Sequence, residues 1–208
     1  MLDLVYQDDF LLVANKPAEL LSVPGRGLDK ADSLAIRVQY EYPDALCVHR
    51  LDMSTSGLLV FARGKMMHNR LSQMFRDRLV NKSYIAIVAG GRIAPTEGAV
   101  DLALAADWPN RPRQKVDIAN GKSSLTRFRV LAHDAASDTC RVELQPVTGR
   151  THQLRIHMAA IGHPVLGDRL YGNDTIPAAN RLMLHARMLS LLHPCSSKPL
   201  TLTSEAPF

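Results

Sequence analysis

Short β-prone runs, each stopped within a few residues by a turn former, do most to narrow the folds open to this chain. Leu4 to Tyr6 and Phe10 to Ala14 flank the acidic pair Asp8-Asp9, which predicts a hairpin closed off by Lys16-Pro17. Leu46 to Leu51 and Leu58 to Ala62 predict strands bracketing the turn Met53-Ser-Thr-Ser-Gly57, and Lys82 to Val88 predicts another that ends at Gly90-Gly91. Further strands are expected near 99–104, 124–131 and 139–146. Alternating leucines (Leu182, Leu184, then Leu189, Leu191) and Leu200-Thr-Leu-Thr extend the pattern to the C-terminal end. Helices are fewer. One is expected from Asp32 or Ser33, both good N-caps, to Tyr42, where Pro43 stops it. A second spans Lys65 to Arg78, with Met67, Leu71, Met74 and Phe75 on one face and Arg70, Arg76 and Arg78 on the other. A third starts at Thr151, shows Leu154, Met158 and Ile161 at helical spacing, and ends at Gly162 and Pro164. Ser22-Val-Pro-Gly-Arg-Gly-Leu-Asp29 reads as a glycine-bearing loop with Arg26 exposed. Asp107-Trp-Pro-Asn-Arg-Pro-Arg-Gln-Lys115 is too rich in proline and charge for regular structure. With no repeat, low-complexity tract or linker, the expectation is one α+β domain over residues 1–208, built on a largely antiparallel or mixed sheet.

At 208 residues such a domain buries roughly 70% of the surface its unfolded chain exposes, so no staple is needed. The net charge of +5 points softly toward a polyanionic partner such as nucleic acid, and equally permits a plain basic surface. Cys47, Cys140 and Cys195 form no C-x-x-C pair and are expected as buried reduced thiols. Met1-Leu-Asp-Leu-Val lacks the basic and apolar regions of a signal peptide, and no apolar run approaches the ~20 residues of a membrane span, so a cytoplasmic protein is expected.

Chemistry is concentrated in three segments. In His49-Arg-Leu-Asp-Met-Ser-Thr-Ser-Gly57, Arg50 and Asp52 lie two apart, so on an extended chain both side chains leave one face. The bland alternative is an aspartate that caps a turn. In Thr148-Gly-Arg-Thr-His-Gln-Leu-Arg-Ile-His157, a helix starting near Thr151 puts His152 and Arg155 on one face. The competing view makes His152 and His157 core hydrogen-bonders. In Asn81-Lys-Ser-Tyr-Ile-Ala86, Tyr84 reads by itself as a packed strand aromatic. No H-E-x-x-H and no cysteine near the histidines supports a metal site, so none is expected.

Together these segments resemble the RluA family of pseudouridine synthases. Its H-R-L-D-x-x-T-S-G pattern is complete from His49 to Gly57, and K-x-Y-x-A matches Lys82, Tyr84 and Ala86. G-R-T-H-Q-[IL]-R-[IV]-H matches Gly149 to His157, G-H-P-[IV]-x-G-D matches Gly162 to Asp168, and L-H-A matches Leu184 to Ala186, all in the family's order. The resemblance implies the pseudouridine synthase catalytic fold, with flanking helices and a central RNA-binding cleft. With so few residues before the catalytic hairpin, the N-terminal S4 domain that many relatives carry is not expected here. The segment from Asp107 to Lys115 looks like that of the RluA subgroup, which modifies both the tRNA anticodon stem-loop and 23S ribosomal RNA.

The resemblance implies roles as well. Asp52 is the nucleophile or the base that initiates glycosidic cleavage, and Arg155 is its cationic partner. Tyr84 stacks on the flipped base and helps remove the proton from C5. Arg50, Arg111, Arg113, Lys115, Arg150 and His152 are candidate RNA contacts, with Arg50 entering the space the flipped base vacates, and the basic face of the second helix is expected to hold the RNA backbone. Trp108 either stacks on a loop base or anchors its proline-rich loop. Substrate and product are isomers, so no cofactor is expected, and a monomer is the default. Two rivals make different predictions. A glycoside or nucleoside hydrolase pairs two carboxylates across the bond, whereas here Asp52 is matched with arginines. A non-catalytic RNA-binding module would keep its activity without Asp52.

Overall fold

Asp8 builds the first turn with its own carboxylate, which accepts the backbone N–H groups of Phe10 and Leu11 at 2.8 and 2.9 Å. From that turn β1 (Leu4–Gln7) and β2 (Leu11–Lys16) run antiparallel. Ser33 Oγ accepts from Ile36 N–H and starts α1 (Leu34–Glu41), which stops at Tyr42 before Pro43. β3 (Ala45–Cys47), β4 (Ser56–Arg63) and α2 (Gly64–Arg76) follow. Next come β5 (Asn81–Ala89), β6 (Glu97–Asp101), β7 (Leu104–Ala106), β8 (Gln114–Val116), β9 (Leu125–Asp134), β10 (Thr139–Pro146) and α3 (Gln153–Ala160), and the chain ends with β11 (Leu184–Leu192) and β12 (Pro199–Thr203).

This computed structural model describes residues 2–27, 30–172 and 179–208. Two compact units emerge: Met1–Lys82 with His185–Pro207, and Ser83–Leu184 with Phe208. In the first, the strand order is β1-β2-β4-β11, with β3 also paired to β4 and β12 to β11. The β11–β4 pairing is parallel, and the other ladders of this unit are antiparallel. Its core joins Leu11, Val13, Leu58 and Val60 of the sheet to Met67 and Leu71 of α2 and to Leu189 and Leu191. In the second unit β5-β10-β9-β6 form an antiparallel set. There Ala86, Val88, Val142 and Leu144 pack against Leu154 and Met158 of α3. Each such valine, leucine or methionine contributes about 1.5–3 kcal/mol by leaving water. The fold is α+β with largely antiparallel sheet, as expected.

Several expectations need correction. The strand predicted from Leu46 to Leu51 stops at Cys47, so Arg50 and Asp52 lie in a loop and not on one face of a strand. The physical reason is side-chain competition for the backbone. Ser22 Oγ donates to Leu51 O at 2.8 Å and accepts from Leu51 N–H at 3.0 Å, taking both groups that a ladder would need. The segment near 99–104 breaks into β6 and β7. The proline-rich segment 107–115 is also more regular than predicted. Trp108–Asn110 form a 3-10 turn, and β8 pairs with β7 through Ala105↔Lys115 and Ala106↔Gln114. Of the cysteines only Cys140 is buried, while Cys47 is half-buried and Cys195 exposed. The loop opening at Ser22 exposes Arg26 as expected, and its last two residues, Leu28 and Asp29, lie outside the described residues.

Candidate functional site

Asp52 sits in the irregular stretch between β3 and β4, half-buried, and the chain around it is fixed by side chains rather than by a ladder. Ser22 holds Leu51 on one side. On the other, the ammonium of the fully buried Lys16 donates to Pro17 O, Leu20 O and Met53 O at 2.8, 2.6 and 2.9 Å, so all three of its protons are used. Asp52 O accepts from Thr55 N–H at 3.1 Å and closes a turn. Ser56 and Gly57 then open β4, so the strand starts inside the turn predicted at Met53-Ser-Thr-Ser-Gly57.

The residues before and after this turn are equally constrained. His49 Nε2 accepts from Val60 N–H at 3.2 Å, which leaves its proton on Nδ1, and the ring stacks on Phe75 at 4.5 Å. Burial, with a further push from the Lys82 charge, lowers the His49 imidazolium pKa to about 3. It is therefore a neutral acceptor at physiological pH. Beyond the turn, His185 Nε2 faces Ser204 O at 3.1 Å and donates to it, so Nδ1 accepts the Ser56 hydroxyl at 2.8 Å. Gly57 has φ +112°, and a Cβ there would lie 2.3 Å from Ala186 O. Only glycine fits where β4 meets β11. Arg50 is exposed on the same loop.

In the second unit the chemistry gathers at the start of α3. Gln153 is buried and spends its whole amide there. Its Oε1 accepts from Thr148 Oγ1 and Arg150 N at 2.8 and 3.0 Å, and its Nε2 donates to Leu125 O and Thr126 Oγ1, both at 3.0 Å. The helix begins at Gln153, later than predicted. His152 is the N-cap and has the left-handed φ of +54°, so it does not share a helical face with Arg155. Arg155 projects from the helix into a buried fork with Asp168, Nε and Nη2 each 2.7 Å from an oxygen of the carboxylate. Burial opposes ionisation of Asp168, but the Arg155 fork and the N–H groups of Leu170 and Tyr171 outweigh it and hold the carboxyl below its usual range.

Tyr171 draws the predicted residues of this unit together. Its hydroxyl accepts from Gln114 N–H at 2.8 Å and lies 2.7 Å from His152 Nδ1, while its ring centroid is 5.1 Å from the Arg155 guanidinium carbon and 5.7 Å from that of Arg113. Neither Tyr171 nor the Asp168 carboxylate had a role in the sequence expectations. The available signal was the Gly167-Asp168 pair, with Tyr171 three positions on.

The remaining candidates are more dispersed. Arg111, Arg113 and Lys115 are exposed on the β7–β8 hairpin, and Arg150 is exposed with Nε donating to Ser123 O at 3.2 Å. Trp108 does not anchor its loop in a core. It is 68% exposed, with the Arg111 guanidinium carbon 3.4 Å from its ring centroid. Tyr84 is half-buried on β5, opposite Leu144 of β10 and against the apolar cluster. His157 is a core hydrogen-bonder: it is buried, has its Nε2 3.0 Å from Ser124 Oγ, and is shifted by desolvation toward the neutral form. Among the described residues no three His, Cys, Asp or Glu side chains group as metal ligands, and no helix is long and apolar enough to cross a membrane.

Comparison with known proteins adds an independent line. Residues 10–160 match the RNA pseudouridylate synthase family. The dual-specificity RNA pseudouridine synthase RluA of Escherichia coli K12 is 50% identical over 206 residues, spanning 99% of this chain and 93% of its own. The Yersinia pestis protein of that description is 49% identical over 205 residues, 98% of each. Among solved structures, human RNA Pseudouridylate Synthase Domain Containing 1 aligns with a TM-score of 0.84 at 31% identity, covering 100% of this chain and 84% of its own.

Proposed function

The chain belongs to the RNA pseudouridylate synthase family and is an RNA pseudouridine synthase, and from that premise we propose that it isomerises uridines in two classes of RNA, the tRNA anticodon stem-loop and 23S ribosomal RNA. The observation that carries the dual specificity is identity near 50% over nearly the whole chain with relatives described as dual-specificity. In support, the basic hairpin segment from Asp107 to Lys115 resembles that of the same subgroup.

The reaction cleaves the N1–C1′ bond, rotates the base and joins C5 to C1′. The C5 proton is released and N1 gains one, so nothing is consumed. A stacked uridine hides these atoms, and the nucleotide has to leave its helix to react. In the proposed assignment Asp52 is the catalytic carboxylate. Its neighbours Leu51 and Met53 are clamped by Ser22 and Lys16, which suits a group that must hold one orientation through cleavage and rejoining. Arg155, already pinned by Asp168, is its cationic partner, since a guanidinium favours the charged form of a carboxylate. Tyr84 stacks on the base and assists loss of the C5 proton. Arg50, Arg111, Arg113, Lys115, Arg150 and His152 contact the RNA, mostly at phosphate. The enzyme acts in the cytoplasm as a monomer.

Tritium release from 5-³H-uridine RNA tests the assignment, comparing wild type with Asp52→Asn on an anticodon stem-loop and a 23S fragment. Release from both RNAs by wild type alone supports the reaction, its carboxylate and the dual specificity. Release from only one RNA would remove the dual specificity, and equal release by Asp52→Asn would remove Asp52 from the chemistry.

A further inference from the structure

We propose that Tyr171 is a positioning residue for the isomerase: its phenol ties strand β8 to His152 while its ring seats Arg155 and Arg113, so that contacts made by RNA at the 107–113 tip and the orientation of Arg155 are set together. The inference rests on the isomerase reading above and names a residue that reading does not use.

Three separate restraints meet at Tyr171. Its backbone N–H donates to Asp168 Oδ1 at 3.1 Å, and the same carboxylate holds both Nε and Nη2 of Arg155. One carboxylate thus fixes the tyrosine and the guanidinium relative to each other. The Tyr171 ring faces the guanidinium carbons of Arg155 and Arg113, so one π-surface serves a buried cation and an exposed one. Its hydroxyl accepts Gln114 N–H, the first residue of β8 and the base of the tip that carries Trp108 and Arg111.

The hydroxyl also bears on His152. A phenol oxygen that accepts Gln114 N–H keeps its own proton to donate, and we assign that proton to His152 Nδ1, 2.7 Å away. Donation to Nδ1 puts the imidazole N–H at Nε2. His152 adopts its left-handed backbone at this position, and strain of that kind persists only where the surroundings over-determine it. A tyrosine with a packing role alone needs none of these polar connections.

The test uses two substitutions in the intact enzyme. Tyr171→Phe keeps the ring under both guanidinium groups and loses the hydroxyl's bonds to Gln114 and His152. Tyr171→Leu loses the ring as well. Single-turnover tritium release at saturating RNA should fall by roughly tenfold for Tyr171→Phe, the scale of one or two lost hydrogen bonds, and further for Tyr171→Leu. The effect of Arg111→Ala on RNA affinity should shrink in the Tyr171→Phe background, because the tip is already uncoupled. The ¹⁵N shifts of His152 should show an Nε2 proton in wild type and lose that bias in Tyr171→Phe. If Tyr171→Phe only lowers the melting temperature, with the saturating rate unchanged and the Arg111→Ala effect additive, the residue is merely structural and the proposal is overturned. An Nδ1-protonated His152 in wild type would overturn the phenol's role as donor. A wild type that releases no tritium would sink the isomerase reading and this proposal with it, whereas an active wild type matched by Tyr171→Phe would sink the proposal alone.

Discussion

Acidification from pH 7 to pH 5 should cost this protein stability through His49, and the size of the loss can be worked out. The folded imidazole titrates at about 3 because burial, and secondarily the Lys82 charge, disfavours its cation. In the unfolded chain a histidine titrates near 6.5. The folded-state value is depressed, so between these limits the unfolded chain binds more protons than the folded one and stability falls as pH falls. Over the interval from pH 7 to 5 the unfolded imidazole takes up most of a proton while the folded one takes up almost none, a difference of about 2 kcal/mol at full effect. His49 is half-buried, and its residual solvent contact brings the expected loss to about 1–2 kcal/mol. The control is His49→Gln, whose side-chain oxygen can accept the Val60 N–H without titrating. Urea unfolding followed by far-ultraviolet circular dichroism, at half-unit steps from pH 7.5 to 5, gives both stability curves. The wild-type curve should fall more steeply than that of the variant by the amount stated. Parallel curves would refute the reasoning, because they would mean that the imidazole gains its proton as easily in the folded loop as outside it.

Other perturbations read other parts of the molecule. Asp168→Asn leaves the Arg155 guanidinium buried without its carboxylate and should cost about 3–5 kcal/mol in chemical denaturation. In the wild type the Asp168 contribution is complete above roughly pH 4 and is lost as pH falls through its lowered folded-state value, so Asp168→Asn should flatten the acid limb. Gly57→Ala puts a Cβ against the Ala186 backbone at a left-handed φ and should destabilise by about 3 kcal/mol or more, read as a lower melting temperature. Replacing Arg111, Arg113 and Lys115 together by alanine should lower the slope of log affinity against log salt by roughly 2–3, and an unchanged slope would show that these side chains touch no phosphate. Tyr84→Phe should bind RNA as well as wild type yet turn over more slowly, and full turnover would remove its acid–base role.

Most local structure was legible because its causes are local. Asp8 makes the first hairpin turn and Ser33 caps α1 within three residues of where each acts. The apolar face of α2 likewise follows from spacing alone, with Met67 and Leu71 buried in the helix. What misled was long-range competition for backbone groups. The strand-like run Leu46 to Leu51 loses its ladder to Ser22, a residue 29 positions away. β8 exists through its pairing with β7, and the propensity of Gln-Lys-Val does not announce it. The motifs marked Asp52, Tyr84 and Arg155 as residues of interest, but no spacing rule joins Tyr171 to Gln114, 57 residues earlier. His152 looked like the first turn of a helix because nothing in the string shows that Gln153 uses its entire amide to pull the preceding loop aside.

The seam at Ser56 and Gly57 has a consequence for how the enzyme comes into being. These residues are closed against His185 and Ala186, and Ser56 and His185 stand 129 positions apart. A ribosome therefore delivers the Asp52 loop well before the strand that backs it. Throughout that interval β4 has an edge awaiting a partner, and any strand-like chain nearby can occupy it. The second unit, Ser83–Leu184, can gather its core before the first is complete. A nascent chain truncated before His185 carries every residue of the H-R-L-D motif yet lacks the strand against which that segment is shaped. Catalytic competence should thus appear only once β11 has been made and has joined β4.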